Sequence, residues 1–270
     1  MTNVVIGAGS GMGIEVARAL APRGHLIAAD RNLEAVEALA AELGGNVTPV
    51  ECDVTDQQQV DALVGRIDTL DAIVLTAGLS GSMANGRRIF EVNLIGTARV
   101  LAAVEPLLRP GTVGVCCASM SGYRVPDRPE LMAILDDPLS DHFFDKFAEI
   151  GIDPDATQLA YPTSKRGVHR LVRRLCPVWG ARGARILSVS PGINDTPMNR
   201  LDESNHPIMQ DIIKSSPLGR RGTPEEIANV ISFITSDAAS LLTGSDVLAD
   251  GGMVSVLPPS WDGKLRVPSD

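Results

Sequence analysis

Aromatic side chains and basic charge are both scarce in this chain. Phe, Trp and Tyr make up 3% of the 270 residues, and 24 Lys and Arg face 33 Asp and Glu, a formal net charge of −9. Proteins that hold nucleic acid rely on aromatic stacking platforms and on basic surfaces. The composition therefore argues against nucleic acid as a partner. We interpret the basic cluster Arg170, Arg173 and Arg174 as the solvated face of a helix.

Cysteine and histidine are also few, with four residues of each. The cysteines, at positions 52, 116, 117 and 176, form no C-x-x-C pair. The histidines, at positions 25, 142, 169 and 206, are far apart in the sequence. Disulfide frameworks and zinc sites need recurrent, closely spaced ligands. We therefore predict neither a disulfide framework nor a bound metal.

The chain lacks a long apolar run that would span a membrane, and no charged segment followed by an apolar stretch begins it. These absences lead us to expect no membrane partner and a cytoplasmic location.

Short apolar runs alternate with longer helical patterns along the sequence. The predicted strands are residues 4–6, 26–29, 47–51, 72–75, 113–118, 185–190 and 246–248. The predicted helices lie between them, at about 12–22, 32–42, 56–66, 86–108, 158–181 and 223–235. This alternation predicts an α/β fold: a single Rossmann-type, doubly wound parallel sheet with helices on both faces. We assign residues 1–270 to one dinucleotide-binding and catalytic domain.

Two regions interrupt the alternation. The segment at about 122–159 is too long for a simple loop and holds apolar clusters, so we predict an inserted segment of short helices before the helix that carries Tyr161. The segment at about 194–222 is predicted to form a lid. The tail from Pro258 onward is predicted to be irregular.

A glycine-rich turn follows the first predicted strand and opens the first predicted helix. Glycine lets the backbone approach a pyrophosphate closely, and the helix N-terminus offers free N–H groups. We predict cofactor contacts from the residues of this turn, namely Gly7, Ser10, Gly11, Met12 and Gly13.

Asp30 ends the second predicted strand, at the distance from the glycine turn that suits an acceptor for the adenosine ribose. A carboxylate there also repels a 2′-phosphate, so NAD(H) is favoured over NADP(H). Asp30 could instead cap the next helix, and the neighbouring Arg31 could pair with a phosphate. Further cofactor contacts are expected at the ends of the next two strands, from Asp53, Val54, Ala77 and Gly78.

Tyr161 and Lys165 lie four residues apart on one predicted helix and so share a face. An ammonium group beside a phenol stabilises the phenolate, which suits a general acid/base. Ser119, at the end of the fifth strand, is placed to hydrogen-bond a substrate oxygen. Asn93 is polar within an apolar stretch of the long helix 86–108, and its alternative role is a local helix bend.

Taken together, these motifs resemble the short-chain dehydrogenase/reductase family over nearly the whole chain. The resemblance rests on Gly7-x-x-x-Gly11-x-Gly13, Asp53, Ala77-Gly78, Asn93, Ser119, Tyr161-x-x-x-Lys165 and Pro191-Gly192-x-x-x-Thr196, in that order. Leu75-Thr76 departs from the family, which has an Asn-Asn pair there.

The resemblance implies a role for each matching residue. Tyr161 would be the acid/base, Lys165 would lower its pKa and bind ribose, Ser119 would orient the substrate oxygen, and Asn93 would hold a relay water. Cofactor contacts near the nicotinamide would come from Tyr161 and Lys165 and from Pro191, Gly192, Ile193 and Thr196. The implied reaction is hydride transfer between NAD(H) and a secondary alcohol or ketone.

Within the family, the short segment 78–93 and the long segment 119–161 are similar to bacterial 3α-hydroxysteroid dehydrogenase/carbonyl reductase. A hydroxysteroid or another apolar cyclic compound is therefore one candidate substrate, and a homodimer or homotetramer is expected. The alternative function is a non-catalytic dinucleotide sensor or scaffold. Such a protein would not need Asn93, Ser119, Tyr161 and Lys165 together.

Overall fold

The computed structural model describes residues 2–256, so the tail predicted to be irregular lies outside the described residues. All seven predicted strands are present, with small changes in their bounds. They are β1 (Thr2–Ile6), β2 (His25–Asp30), β3 (Val47–Glu51), β4 (Leu70–Leu75), β5 (Val113–Cys117), β6 (Arg185–Pro191) and β7 (Asp246–Ala249).

The strands form one parallel sheet in the order β3-β2-β1-β4-β5-β6-β7. The direction of winding reverses between β1 and β4, which are neighbours in the sheet. In such sheets the connections leave a crevice outside the carboxyl ends of the strands at the reversal point. The predicted doubly wound sheet is confirmed, and its topology places a ligand crevice after Ile6 and Leu75.

Helices cover both faces of the sheet. They are α1 (Gly11–Leu20), α2 (Leu33–Leu43), α3 (Gln57–Val64), α4 (Gly86–Phe90), α5 (Thr97–Val104), α6 (Pro129–Leu135), α7 (Phe143–Glu149), α8 (Thr157–Ala181), α9 (Pro197–Asn205), α10 (Ile208–Ser215), α11 (Pro224–Ile234) and α12 (Met253–Val256). Side chains of β1 alternate between two cores. Val4 and Ile6 pack on the side of α3, α5 and α8, and Val5 packs on the side of α1, α2 and α11.

The predicted single helix over 86–108 is wrong in one respect. A π-helical segment, Glu91–Gly96, separates α4 from α5. A π turn holds one more residue than an α turn and is often found at functional sites. The segment contains Asn93, so the helix is irregular at the residue for which a local bend was the alternative role. Gly167 of α8 lets this segment come close, because a Cβ there would lie 2.5 Å from Leu94.

The segment between β5 and α8 is helical, as predicted. A 3-10 turn (Met120–Arg124) is followed by α6 and α7. Phe143 and Phe147 are buried and pack against Phe90 of α4, with ring centroids 5.6 and 5.0 Å apart. The inserted aromatics therefore extend the core of their own chain rather than line the crevice.

Within residues 2–256, no helix is long and apolar enough to cross a bilayer. All four cysteines fall in this range and are free thiols.

Trp179, near the end of α8, anchors this helix to the sheet. It is 1% exposed, and its ring fills the space above Gly114 of β5, where a Cβ would lie 2.6 Å from the ring.

We predict that Trp179→Ala lowers the free energy of unfolding by about 3–5 kcal/mol, because it leaves a cavity in the core. Urea unfolding measures this change. The neighbouring Val178, 40% exposed, provides the control: Val178→Ala should change stability by less than about 1 kcal/mol, and an equal loss in both variants would contradict the assignment.

Candidate active site

The glycine-rich turn after β1 packs directly against the end of β4. A Cβ on Gly7 would lie 2.4 Å from the Ala77 nitrogen, and a Cβ on Gly13 would lie 1.9 Å from the Gly7 oxygen. Real Cβ atoms do not come that close, so both positions need glycine. The Thr76 hydroxyl donates to the carbonyl oxygens of Ile6 and Gly7 at 3.0 and 3.2 Å. Thr76 thus holds the turn, a role that the sequence did not reveal.

The N-terminus of α1 opens into the crevice. Its capping residue Ser10 is extended and makes no side-chain capping bond, so the first N–H groups of the helix point into the crevice without a side-chain partner. These groups and the dipole of the helix favour an anion. The crevice here is lined by Gly7, Ser10, Gly11, Met12, Gly13 and Thr196. Its donors and its lack of side-chain bulk fit a pyrophosphate.

Asp30, at the end of β2, lines the same crevice. Its two carboxylate oxygens accept from the backbone nitrogens of Gly9 and Asn32, each at 2.9 Å. The N-cap of α2 is Asn32, whose side chain accepts from the Ala35 nitrogen. The predicted capping role therefore falls to Asn32, and Asp30 instead turns its carboxylate toward the glycine turn. Arg31 is exposed and lines the crevice beside it.

Asp53 and Val54 follow β3 and line the crevice, as predicted. The Asp53 carboxylate accepts from Thr55 and from the guanidinium of Arg88, whose Nη2 lies 3.0 Å away. Burial raises the pKa of Asp53, but these bonds and the Arg88 charge outweigh it and hold the pKa below its ordinary value. Arg88 also lines the crevice. Sequence reasoning missed it because nothing near it in the chain signals its pairing with Asp53.

A second pocket adjoins the crevice at the ends of β5 and β6. It brings together the predicted residues Gly78, Ser119, Tyr161, Lys165, Pro191, Gly192 and Thr196. The side chain of Ile193 points elsewhere, into a small core with Ile212, Ile213 and Met253. Asn194 lines the pocket in its place, and its Nδ2 donates to the Gly192 oxygen at 2.9 Å.

Tyr161, Lys165 and Ser119 meet in this pocket. Ser119 lines the pocket with Tyr161, lowers the pKa of its phenol, and accepts from the hydroxyl of Ser121 at 3.0 Å. Lys165 is 4% exposed, and its Nζ donates to the Cys117 oxygen at 2.8 Å. The same Nζ lies 5.9 Å from the centroid of the Tyr161 ring. The predicted catalytic side chains are therefore neighbours, and the lysine is held by the last residue of β5, two residues before Ser119.

The pKa of Tyr161 shifts opposite to the sequence-based expectation. Burial raises the pKa of Tyr161 to about 12, and the hydrogen bond with Ser119 offsets only part of this rise. Burial also lowers the pKa of Lys165. Desolvation disfavours the charged form of each group, and Lys165 is not among the causes that shift the Tyr161 pKa. The expected lowering of the Tyr161 pKa by Lys165 is therefore not found.

Asn93 lies behind this pocket with its polar atoms in use. Its Nδ2 donates to the Leu79 oxygen at 2.9 Å and to the Ser164 hydroxyl at 3.2 Å, and its Oδ1 accepts from the Leu79 nitrogen at 2.8 Å. The Thr97 hydroxyl donates to its backbone oxygen at 2.8 Å. Asn93 thus ties the loop after β4 to α8. Gly78, in this loop, lies beside both the Asn93 amide and the Lys165 ammonium.

Two family profiles match most of the chain. The profile described as short chain dehydrogenase matches residues 2–127, and the profile described as enoyl-(acyl carrier protein) reductase matches residues 148–254. Together they include the glycine turn, the Asp53 loop, Asn93 and Ser119 in the first part and Tyr161 and Lys165 in the second.

Curated relatives match the chain from end to end. The cis-4-hydroxycyclohexanecarboxylate dehydrogenase of Sinomonas cyclohexanicum is 31% identical over 94% of this chain and 96% of its own length. The D-threitol dehydrogenase of Mycolicibacterium smegmatis is 31% identical, over 92% and 91%. The 3-alpha-hydroxysteroid dehydrogenase/carbonyl reductase of Comamonas testosteroni is 27% identical, over 95% and 98%, which confirms the predicted resemblance.

The fold is shared with solved structures of the same kind. A 7 alpha-hydroxysteroid dehydrogenase, solved with NADH and 7-oxo glycochenodeoxycholic acid, superposes with a TM-score of 0.75 at 25% identity, and 93% of each chain is covered.

With this site and these matches, the chain belongs to the short-chain dehydrogenase/reductase family. It is an oxidoreductase that interconverts secondary alcohols and ketones with an NAD(P)(H) dinucleotide and acts on small molecules.

The buried state of Tyr161 has a spectroscopic consequence. The chain has two tyrosines, and burial raises the pKa of both Tyr123 and Tyr161. The folded-state pKa of each tyrosine lies above its unfolded pKa of about 10. The resulting stabilisation is present below pH ~10 and is lost as the pH rises through the folded-state pKa. We predict that ultraviolet titration of the cofactor-free protein shows no phenolate at pH ~10. The absorbance should rise only near pH 12 or on unfolding. A phenolate transition at the ordinary value in the folded protein would contradict this.

Proposed function

We propose that Tyr161 is the general acid/base of a dehydrogenase that uses NAD(H). The observation that carries this proposal is the pocket that Tyr161 and Ser119 line together, with the buried Nζ of Lys165 5.9 Å from the centroid of the Tyr161 ring. When bound, the dinucleotide supplies the hydride or accepts it. The chain's own residues have to bind the substrate oxygen, exclude water and move one proton.

Ser119 and Tyr161 would share the binding of the substrate oxygen. In alcohol oxidation the phenolate oxygen of Tyr161 takes the hydroxyl proton, and in ketone reduction the phenol returns it. The Ser119 hydroxyl donates to the same oxygen and orients it. A group serves this purpose best when its pKa lies near the working pH. Burial raises the pKa of Tyr161 to about 12, and we propose that the positive charge of Lys165 favours the phenolate during the reaction.

Asn93 and Thr76 support the site from behind. Asn93 fixes the Leu79 backbone, next to Gly78 of the pocket, and Thr76 fixes the glycine turn. We place both as positioning residues. The role of Asn93 in holding a relay water, which the family resemblance implies, stays a prediction.

We further propose that NAD(H) is the preferred dinucleotide. Asp30 presents a carboxylate, oriented by two backbone N–H groups, at the end of the crevice where the adenosine ribose would lie. A carboxylate can accept from both ribose hydroxyls and repels a 2′-phosphate. Arg31 and Arg88 line the same end and oppose this preference, but the contact of Arg88 with Asp53 uses part of its charge.

The substrate that we propose is a small secondary alcohol or its ketone. The relatives named above act on ring and polyol alcohols according to their names, and the lid residue Met198 gives the pocket an apolar wall. We favour an enzyme over the non-catalytic sensor or scaffold for two reasons. The relatives named above are enzymes, and Ser119, Tyr161 and Lys165 line one pocket. The expected homodimer or homotetramer and the cytoplasmic location stay predictions.

Removal of the Tyr161 hydroxyl tests the proton-transfer role. Tyr161→Phe should lower kcat by about a hundredfold to ten-thousandfold, since this is the range of general acid–base catalysis. NADH affinity, followed by fluorescence titration, should stay within about twofold, because the ring that lines the pocket remains. Tyr123→Phe is the matched control, since Tyr123 bonds Asp246 and lies outside the crevice. Retained turnover in Tyr161→Phe would remove Tyr161 from the mechanism.

Replacement of Asp30 tests the cofactor preference. Asp30→Ala should weaken NADH binding by about tenfold, because charge-assisted hydrogen bonds to the ribose are lost. It should also reduce the difference in affinity between NADH and NADPH. The dissociation constants of both dinucleotides measure this. Glu34→Gln removes one exposed negative charge nearby and should leave the NADH/NADPH ratio unchanged. An unchanged ratio in Asp30→Ala would mean that the carboxylate only orders the turn around Gly9.

A further inference from the structure

The lid helix α9 carries a carboxylate toward the reactive phenol. Met198 and Asn199, in the first turn of α9, line the pocket that holds Tyr161 and Ser119. Residues three and four apart share one face of a helix. Asp202 follows Asn199 by three residues and Met198 by four, so it shares their face of α9, one turn beyond the residues that line the pocket.

A hydrogen bond fixes the position of Asp202. Its Oδ1 accepts from the Ser80 hydroxyl at 2.7 Å, and Ser80 is 1% exposed. Ser80 belongs to the loop that Asn93 holds through Leu79. The next residue, Gly81, packs on Thr157, one turn before Tyr161 on α8. The Ser80–Asp202 bond therefore closes the lid over the loop beside Tyr161.

The charge of Asp202 is not neutralised by an ion pair, unlike the charges of its acidic neighbours. Asp195 pairs with Arg200, and Glu203 pairs with Arg221. Within the described part of the chain, Asp202 has no ion-pair partner, and its Oδ2 receives no hydrogen bond. Burial is the main reason why the pKa of Tyr161 is raised, and the Asp202 carboxylate adds to that rise.

We propose that Asp202 determines specificity: its carboxylate accepts a hydrogen bond from a second hydroxyl of a neutral substrate and disfavours substrates that carry a carboxylate. This inference rests on the proposed function, because it concerns the substrate of the same pocket. An ionised carboxylate only accepts hydrogen bonds, so a hydroxyl is its natural neutral partner. A second anion in this half-buried place would meet like charge without a compensating cation.

The substrate class that follows is a neutral alcohol with at least two hydroxyl groups, or the corresponding hydroxyketone. This would distinguish the chain from its relative named cis-4-hydroxycyclohexanecarboxylate dehydrogenase, whose named substrate carries a carboxylate.

Three ring alcohols with one scaffold test the inference. Cyclohexanol carries no second group, cis-cyclohexane-1,4-diol carries a hydroxyl, and cis-4-hydroxycyclohexanecarboxylate carries a carboxylate. For each compound, kcat/KM is measured with NAD, and its binding to the enzyme–dinucleotide complex is measured by calorimetry. We expect the wild-type protein to prefer the diol over the carboxylate by about tenfold or more in both measurements, since a charge-assisted hydrogen bond is gained in one case and repulsion in the other.

Asp202→Asn removes the charge and keeps the size of the side chain. We expect it to reduce the preference for diol over carboxylate by about tenfold, mainly through better binding of the carboxylate. Asp211→Asn is the matched control, since Asp211 is an exposed acid on the next lid helix α10, whereas Asp202 is bonded to Ser80 on α9. It should leave the preference unchanged. Ser80→Ala keeps the charge but frees the side chain, and it should weaken diol binding without improving carboxylate binding.

Carboxylate binding equal to or tighter than diol binding in the wild-type protein would overturn the inference, whether or not Asp202→Asn folds. An unchanged preference in folded Asp202→Asn would also overturn it. Failure of the proposed function has a different signature: none of the three alcohols is oxidised, although the dinucleotide binds. The calorimetric preference then still decides the role of Asp202, because it does not depend on turnover.

Discussion

The contact between the glycine turn after β1 and the end of β4 is the constraint on which the rest of the site depends. The backbones of Gly7, Gly13 and Ala77 come so close that no side chain fits between them. This contact brings the N-terminus of α1 over the point where the sheet reverses its winding, and it leaves a crevice bordered by backbone donors. The dinucleotide crevice exists because the ends of β1 and β4 and the N-terminus of α1 meet with no side chain between their backbones.

Burial dominates the chemistry of the second pocket. Both Tyr161 and Lys165 are removed from water, and burial pushes each toward its neutral form. The lysine gains a partner in the Cys117 carbonyl, a neutral acceptor that leaves its positive charge uncompensated. The site thus holds an amine and a phenol together in a low-dielectric pocket, where electrostatic interactions are strong. In such a pocket a charge that arrives with a ligand would shift both pKa values more than it would in water.

The sequence predicted what depends on local pattern. The apolar runs and the positions of the glycines were enough to predict the seven strands and the turn at Gly7–Gly13. The helical spacing of Tyr161 and Lys165 was enough to predict that they share a face. Features set by partners distant in the chain were missed: the pairing of Arg88 with Asp53, the bond from Ser80 to Asp202, and the replacement of Ile193 by Asn194 in the pocket. Asn32 was missed as the cap of α2, although it is local, because Asp30 offered an equally good capping side chain two residues earlier.

The π turn at Glu91–Gly96 has a consequence for how this chain tolerates change in length. Consecutive residues of a helix are about 100° apart around its axis, so the extra residue of the π turn sets the rotation of α4 relative to α5. A single-residue deletion there would give a more regular helix. It would also swing Asn93 away from Leu79 and Ser164, or Phe90 away from the aromatic core. The extra residue of the π turn therefore lets one helical run keep both sets of contacts, which a shorter and more regular helix would separate.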